Sequence, residues 1–147
     1  MVTIRPALPS DSCKLQALFE QFIQNADWLP EESRNNTDFA KTTEGERVFV
    51  ALSDDGHIVG AMTVWEPESF IHCLFVDHQV QGQGIGTFLL DSLTQWLAFP
   101  WKLKCQASNR RALEFYRRRG WKKLETGLSD QGPYFLLSRE KEVFQTE

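Results

Sequence analysis

Gln81-Gly82-Gln83-Gly84-Ile85-Gly86 separates two apolar segments of different periodicity. Ahead of it runs Ile71-His72-Cys73-Leu74-Phe75-Val76, a strand-like block. Behind it, Ile85, Leu89, Leu93, Trp96 and Leu97 recur at the spacing of a buried helix face, out to about Phe99. The first amides of a helix have no intrahelical acceptor, and with the positive end of the helix dipole they form a phosphate site. Glycines let the main chain adopt left-handed conformations and let a ligand approach closely. The stretch therefore points to a phosphate-bearing cofactor, with simple turn punctuation as its other reading. Two nucleotide motifs fit badly. The dinucleotide fingerprint needs G-x-G-x-x-G and an acid roughly 20 positions on; the spacing is G-x-G-x-G, and the next strand candidate, Lys102–Gln106, ends without one. A P-loop needs Gly-Lys-Ser/Thr, and Ile85-Gly86-Thr87 lacks the lysine.

The chain of 147 residues is one domain's worth, taken as a single unit over 1–147. Its formal net charge of −4 argues against nonspecific nucleic-acid binding. No apolar run approaches the ~18 residues of a membrane span, and Met1-Val2-Thr3-Ile4-Arg5-Pro6 has no signal-peptide core. Three cysteines, Cys13, Cys73 and Cys105, form no CxxC pair, which suits a reducing cytoplasm. Cys73 and Cys105 lie in apolar strands and read as small buried hydrophobes. His57, His72 and His78 show no metal-ligand spacing, so no metal is expected.

Along the chain, Val2–Arg5 alternates like a strand, and Pro9-Ser10-Asp11 opens a helix carrying Leu15, Leu18, Phe19, Phe22 and Ile23. A polar segment with a short helix near Asp38 to Thr42 follows. Val48–Leu52 and His57–Trp65 form a hairpin around Ser53-Asp54-Asp55-Gly56. After the glycine segment and its helix come a strand over Trp101–Ala107 and a helix over Asn109–Arg119. Gly120 stands where a left-handed cap is expected. Two strands close the chain, Trp121–Glu125 and Tyr134–Ser138, joined by a polar loop. This order implies an α/β fold with a mixed sheet and helices on both faces.

Two motifs in this order resemble the GNAT superfamily of N-acetyltransferases. One is the strand Leu74-Phe75-Val76 followed by Gln81 to Gly86, similar to Gln/Arg-x-x-Gly-x-Gly/Ala. The other is Asn109-Arg110-Arg111-Ala112-Leu113-Glu114-Phe115-Tyr116-Arg117-Arg118-Arg119-Gly120-Trp121, similar to Asn-x-x-Ala-x-x-Phe-Tyr-x-x-x-Gly-Phe/Trp. One departure is His78, where the family often has proline. The resemblance implies a twisted, mostly antiparallel sheet of six or seven strands with one splayed pair, and acetyl-CoA as cofactor. It further implies that amides from Gln81, Gly82, Gln83, Gly84, Ile85, Gly86 and Thr87 hold the pyrophosphate. The arm of the cofactor would lie in the splay beside Leu74, Phe75 and Val76, with Asn109, Ala112 and Tyr116 approaching it from the second motif. The N–H of Phe75 or Val76 would face the acetyl oxygen, worth ~3 kcal/mol of barrier. Tyr116, by its match to the family tyrosine, would protonate the leaving sulfur; its other reading is packing alone.

The proton acceptor is open at this level. His72 has a suitable imidazole, and Glu66 and Glu68 lie just upstream and could act through water. Strict alternation along a strand would turn Cys73 away from the side His72 occupies. The arginines of the second motif are either cofactor-phosphate ligands or a solvated face with Glu114. In this family the segments matching Asp27–Asp38 and Gly127–Tyr134 wall the acceptor pocket. Trp28, Trp65 and Tyr134 would supply aromatic surface, and Asp27, Glu31 and Glu32 negative charge, for a small-molecule amine or a peptide. The expected activity is acetyl transfer to a primary amine by direct attack. A non-catalytic acyl-CoA-binding module and a protein N-acetyltransferase are the alternatives. Homodimers occur in the family, and no residue demands one.

Overall fold

Seven strands form one sheet: β1 (Thr3–Pro6), β2 (Arg47–Leu52), β3 (Ile58–Trp65), β4 (Phe70–Val76), β5 (Trp101–Gln106), β6 (Lys122–Ser129) and β7 (Gly132–Arg139). Their spatial order is β1-β2-β3-β4-β5-β7-β6. Among the described residues, four α-helices complete the fold: α1 (Ser12–Gln24), α2 (Phe39–Thr42), α3 (Ile85–Ser92) and α4 (Arg110–Arg118). The computed structural model describes residues 2–35 and 38–141. Residues 36 and 37, part of the segment expected to wall the acceptor pocket, lie outside them.

Alternation along the strands divides the core into two layers. Val50, Ala61 and Phe75 pack against Leu15, Leu18, Phe19 and Ile23 of α1 and Phe39 of α2. Ala51, Met62, Val64 and Ile71 pack against Ile85, Leu89 and Leu90 of α3, with Leu113, Phe115 and Tyr116 of α4 at the margin. The expected architecture is therefore observed, with seven strands and helices on both faces.

Every neighbouring pair is antiparallel except β4 and β5. That parallel pair holds together only at Phe70↔Lys102 and Ile71↔Leu103. Beyond those residues the two strands diverge as a fork. On its other side β4 stays paired with β3 up to Val76↔Gly60. The β3–β4 register slips between Thr63↔Cys73 and Val64↔Ile71, so His72 is an extra residue without a partner on β3. A bulge of this kind bends the strand and increases its twist, and it sits where the fork opens.

Two elements differ from their expected extents. The helix expected to run to about Phe99 is α-helical only to Ser92 and continues as a 3-10 turn over Leu93–Gln95. The Ser92 hydroxyl donates to the Leu89 carbonyl at 2.6 Å and the Thr94 hydroxyl to that of Asp91 at 2.7 Å, competing with the helical ladder. The loop expected between the last two strands is mostly hairpin, paired through Gly127↔Tyr134 to Ser129↔Gly132. Tyr134 lies across Gly127, where any Cβ would come within 2.3 Å of its ring. A side chain there would require the Tyr134 ring to move.

Candidate active site

The turn before α3 is built to present amides. Asp77 accepts from the Gln79 N–H at 3.0 Å and sets a short 3-10 turn over His78–Val80. The His78 N–H donates to Gln21 Oε1 of α1 at 3.0 Å. A proline at this position has no N–H, so the departure from the family pattern adds a tie to α1. Gly82 (φ +84°) and Gly84 (φ +82°) occupy the left-handed region, Gly84 as the N-cap of α3. Among the described residues, none of the amides from Gln81 to Thr87 donates a hydrogen bond to the protein. At Gly86 a Cβ would meet the Phe115 ring at 3.4 Å. A cradle of free amides at a helix N-terminus fits a diphosphate.

Arg119, just past the end of α4, ties the two helices beside this cradle. Its Nε donates to Thr87 Oγ1 at 2.7 Å and its Nη1 to the Phe115 carbonyl at 2.8 Å, with the guanidinium 3.7 Å above the Phe115 ring centre. Thr87, expected only as a cofactor contact, thus also accepts from the protein. Arg117 and Arg118 turn instead to Glu114, at 2.6 Å and 3.1 Å. Arg117, foremost, holds that exposed carboxyl down to about 2. These two arginines form the solvated face, and Arg119 is the one that reaches the cradle.

Along the fork, main-chain direction follows from two bonds. The Cys73 N–H donates to Thr63 Oγ1 and the Asp77 N–H to the Val59 carbonyl, both on β3. Alternation then directs the N–H groups of Leu74 and Val76 to the open side and that of Phe75 back toward β3. Of the two N–H groups expected to face the acetyl oxygen, that of Val76 points into the fork and that of Phe75 points toward β3.

From α4, Asn109 caps the helix by accepting from the Ala112 N–H at 3.2 Å. Gly120 (φ +87°) ends it, and the Trp121 N–H returns to the Tyr116 carbonyl at 3.1 Å. This closure presses Tyr116 against Trp121, with ring centres 5.6 Å apart. The Tyr116 hydroxyl has no hydrogen-bond partner among the described residues. Burial raises its pKa well above the ordinary phenol value, and the thiols of Cys105 on β5 and Cys73 on β4 push the same way. One phenol therefore senses both strands of the fork. Burial also pushes the Cys73 thiol up to about 12 and the Cys105 thiol to about 11. Neither supplies thiolate near neutral pH.

Where the fork opens, His72 Nδ1 lies 2.6 Å from Glu46 Oε2. Glu46 stands just before β2, turned in by Gly45 (φ +83°) and by its own N–H to the Thr43 carbonyl. Its other oxygen, Oε1, is buried without a partner among the described residues. The Glu46 charge also acts on Cys73. Because the strand bulges at His72, strict alternation fails, and His72 and Cys73 share Glu46 as a neighbour.

Glu66, the carboxylate expected beside the acetyl position, pairs at the surface. It is half exposed and lies 3.4 Å from Arg47, which itself covers the Trp96 ring on the α3 side. The three aromatic residues expected at the acceptor pocket have different contacts, with Trp28 and Tyr134 both meeting the end of β5. Trp28 packs on Phe22, and its carbonyl accepts from Ser108 beyond β5. Trp65 covers Gly45. Tyr134 lies under the Lys104 ammonium, 4.9 Å from its ring centre. Glu46 and Arg119 were missed in the sequence. The first lay between the polar segment and the strand at Val48, in residues assigned to no element, and the second was one of five arginines with nothing to separate it from the rest.

The comparisons with known proteins agree with this geometry. Residues 14–121 match the model of the acetyltransferase (GNAT) family. The chain belongs to that family. Its members use acetyl-CoA, and the reaction is acetyl transfer from that cofactor. The apo solution structure of YjaB from Escherichia coli is similar, with a TM-score of 0.79 at 23% identity over 94% of this chain and 97% of that one. A GNAT superfamily phosphinothricin acetyltransferase from Sinorhizobium meliloti, solved with acetyl-CoA, has a TM-score of 0.68 at 18% identity over 95% of this chain and 88% of that one. A chimera of Vibrio cholerae spermidine N-acetyltransferase SpeG and hSSAT reaches 0.69 at 13% identity, covering 95% of each chain. These identities speak for the shared fold. A search of curated protein sequences finds no match. Among the described residues, no helix is long and apolar enough to cross a membrane, and no His/Cys/Asp/Glu group is arranged to hold a metal.

Proposed function

We propose that this acetyltransferase acts on a primary amine by direct attack, without an acetylated-enzyme stage. The observation that carries the reading is the Tyr116 hydroxyl, which has no protein hydrogen bond among the described residues and whose proton is held by burial and by the thiols of both diverging strands. Acetyl-CoA, when bound, supplies an activated thioester. The amides from Gln81 to Thr87 hold its diphosphate, and Leu74 and Val76 offer main-chain N–H groups along the fork to its peptide-like arm. The Val76 N–H is the candidate donor to the thioester oxygen. Tyr116 stays protonated far above neutral pH, so it can give its proton to the departing sulfur. His72 is the candidate to take a proton from the incoming ammonium. The raised thiols of Cys73 and Cys105 make a covalent acetyl-cysteine route unfavourable.

The test is a panel of amines with acetyl-CoA, read by release of free thiol. Turnover with a primary amine, absent with acetyl-CoA alone, supports the reading. Tight binding of acetyl-CoA without turnover across the panel would replace it with a binding module. Turnover confined to peptide N-termini or protein lysines would move the acceptor class. Acetylation recovered on Cys73 by mass spectrometry would overturn direct attack.

A further inference from the structure

Glu46 is a largely buried carboxylate with one oxygen on an imidazole and the other buried without a partner among the described residues. Leaving a buried acceptor without a donor costs roughly 1–3 kcal/mol. A neutral side chain would avoid that cost, so the carboxylate calls for an explanation. Three observations meet at this point. His72 is the extra residue of the β4 bulge. It follows directly on Ile71, the last residue of β4 paired to β5. The next residue, Cys73, is one of the two whose thiol acts on Tyr116. The imidazole held by Glu46 therefore stands at the opening of the fork, one residue before the thiol that acts on the phenol proposed to work there.

We propose that Glu46 is a positioning residue that holds His72 in one tautomer and aims its free nitrogen at the acceptor amine. A carboxylate only accepts, so the 2.6 Å contact requires the proton on Nδ1. Nε2 is then left with its lone pair. His72 keeps 39% of its side chain exposed while Glu46 keeps 11%, so the imidazole faces the incoming molecule and the carboxylate stands behind it. One proton passes from the acceptor's ammonium to Nε2, leaving a neutral amine with its lone pair free and an imidazolium next to Glu46. The imidazolium returns that proton to water. The acceptor thus selected is a protonated amine. The proposal rests on the amine-acetylation reading and adds Glu46 to it.

The charged and titratable groups around the pair are few. Cys73 follows on β4, its thiol raised to about 12. The Arg47 side chain, next to Glu46 in sequence, is committed to Glu66 and to the rings of Phe49 and Trp96. From α4 comes Tyr116, through Cys73.

The experiment combines ¹⁵N NMR of the histidine side chains with kinetics of Glu46→Gln, Glu46→Asp, His72→Gln and the Glu46→Gln/His72→Gln double variant. His72→Gln assigns the resonance among the three histidines. The wild-type ring is expected as the Nδ1–H tautomer, and Glu46→Gln should lose that bias, because an amide can donate as well as accept. In kinetics, His72→Gln should lower kcat on the order of 10²-fold and Glu46→Gln on the order of tenfold, with KM for acetyl-CoA unchanged. The double variant should be no slower than His72→Gln, since residues acting as one unit are not additive. Glu46→Asp should recover part of the rate. An Nε2–H tautomer in the wild type, a tautomer indifferent to Glu46→Gln, or additive losses in the double variant would overturn the proposal. If the wild type turns over no amine, the amine reading fails, and the tautomer still decides whether Glu46 positions His72.

Discussion

The two edges of β4 carry the same seven residues and meet opposite fates. Toward β3 the strand is paired from Phe70 to Val76, interrupted only by the bulge at His72. Toward β5 it is paired at Phe70 and Ile71 and then leaves its neighbour. The closed edge satisfies its backbone within the protein, as buried polar groups must be. The open edge exposes N–H groups of Leu74 and Val76 that a peptide-like molecule can satisfy instead. Stability and binding are thus assigned to opposite sides of one strand, and the bulge at His72 marks the changeover. Substitutions at the foot of the fork should therefore cost stability, and substitutions along its opening should cost turnover with the fold intact.

The largest effect belongs to the foot. Trp101 is fully buried, donates Nε1–H to the Leu97 carbonyl at 3.0 Å and stacks on Phe99 with ring centres 4.2 Å apart. Trp101→Ala should cost about 4 kcal/mol by urea denaturation, through lost burial and the cavity left behind. Loss of turnover without such destabilisation would mean that the foot serves the chemistry, and the division would fail. Tyr116→Phe comes next and tests the opening. Its hydroxyl has no protein hydrogen bond to lose, so the melting temperature should hold and acetyl-CoA should still bind by calorimetry. The rate should fall about 10²-fold, or about 2.7 kcal/mol of barrier. An unchanged rate would return Tyr116 to a packing role.

This division also explains what could be read from the chain. Gly84, Gly86 and Gly120 declared their turns because few other residues suit those conformations or close approaches. The motif from Asn109 to Trp121 declared a helix, its cap and the aromatic pair that closes on it. The fork itself was legible only through family resemblance, since no residue pattern encodes where two parallel strands part. The bulge was illegible for a related reason. It is one residue long and appears only in the register between β3 and β4, so alternation put His72 and Cys73 on opposite sides. Glu46 was lost with it, because its partner is 26 residues away along the chain. Glu66 was favoured for its nearness in sequence, and it meets Arg47 at the surface. Ser92 and Thr94 cut the third helix short by bonds that apolar periodicity does not register.

The cradle offers a smaller test of the open side. Gly84→Val forces a β-branched residue to φ +82° with open space around its Cβ. The penalty is therefore conformational, about 1–2 kcal/mol, and not a clash. KM for acetyl-CoA should rise about tenfold, as the amides of Gly84 to Gly86 lose their alignment. Turnover at saturating acetyl-CoA should change little. A fall in saturated turnover at unchanged KM would detach the glycine turn from cofactor binding.

The smallest effect lies at the sheet edge farthest from the fork's open side, and it carries a pH signature. Asp11 accepts from Arg5 at 2.7 Å and 3.1 Å and from the Leu8 N–H at 2.7 Å. Arg5 first, and then that N–H, hold the Asp11 carboxyl below its ordinary value. A carboxyl depressed in the folded state stabilises the fold above its unfolded value of about 3.9, and the gain is lost as pH falls through the folded value. Asp11→Asn should therefore lower the melting temperature at pH 7 by about 2 °C, a size limited by the exposure of Arg5. Below pH ~4 the wild type and the variant should converge. Acetyl-CoA affinity at pH 7 should be the same for both, because β1 touches neither strand of the fork. A matching loss of affinity would show that the closed edge transmits strain to the open one, and the two sides of β4 could no longer be treated as separate.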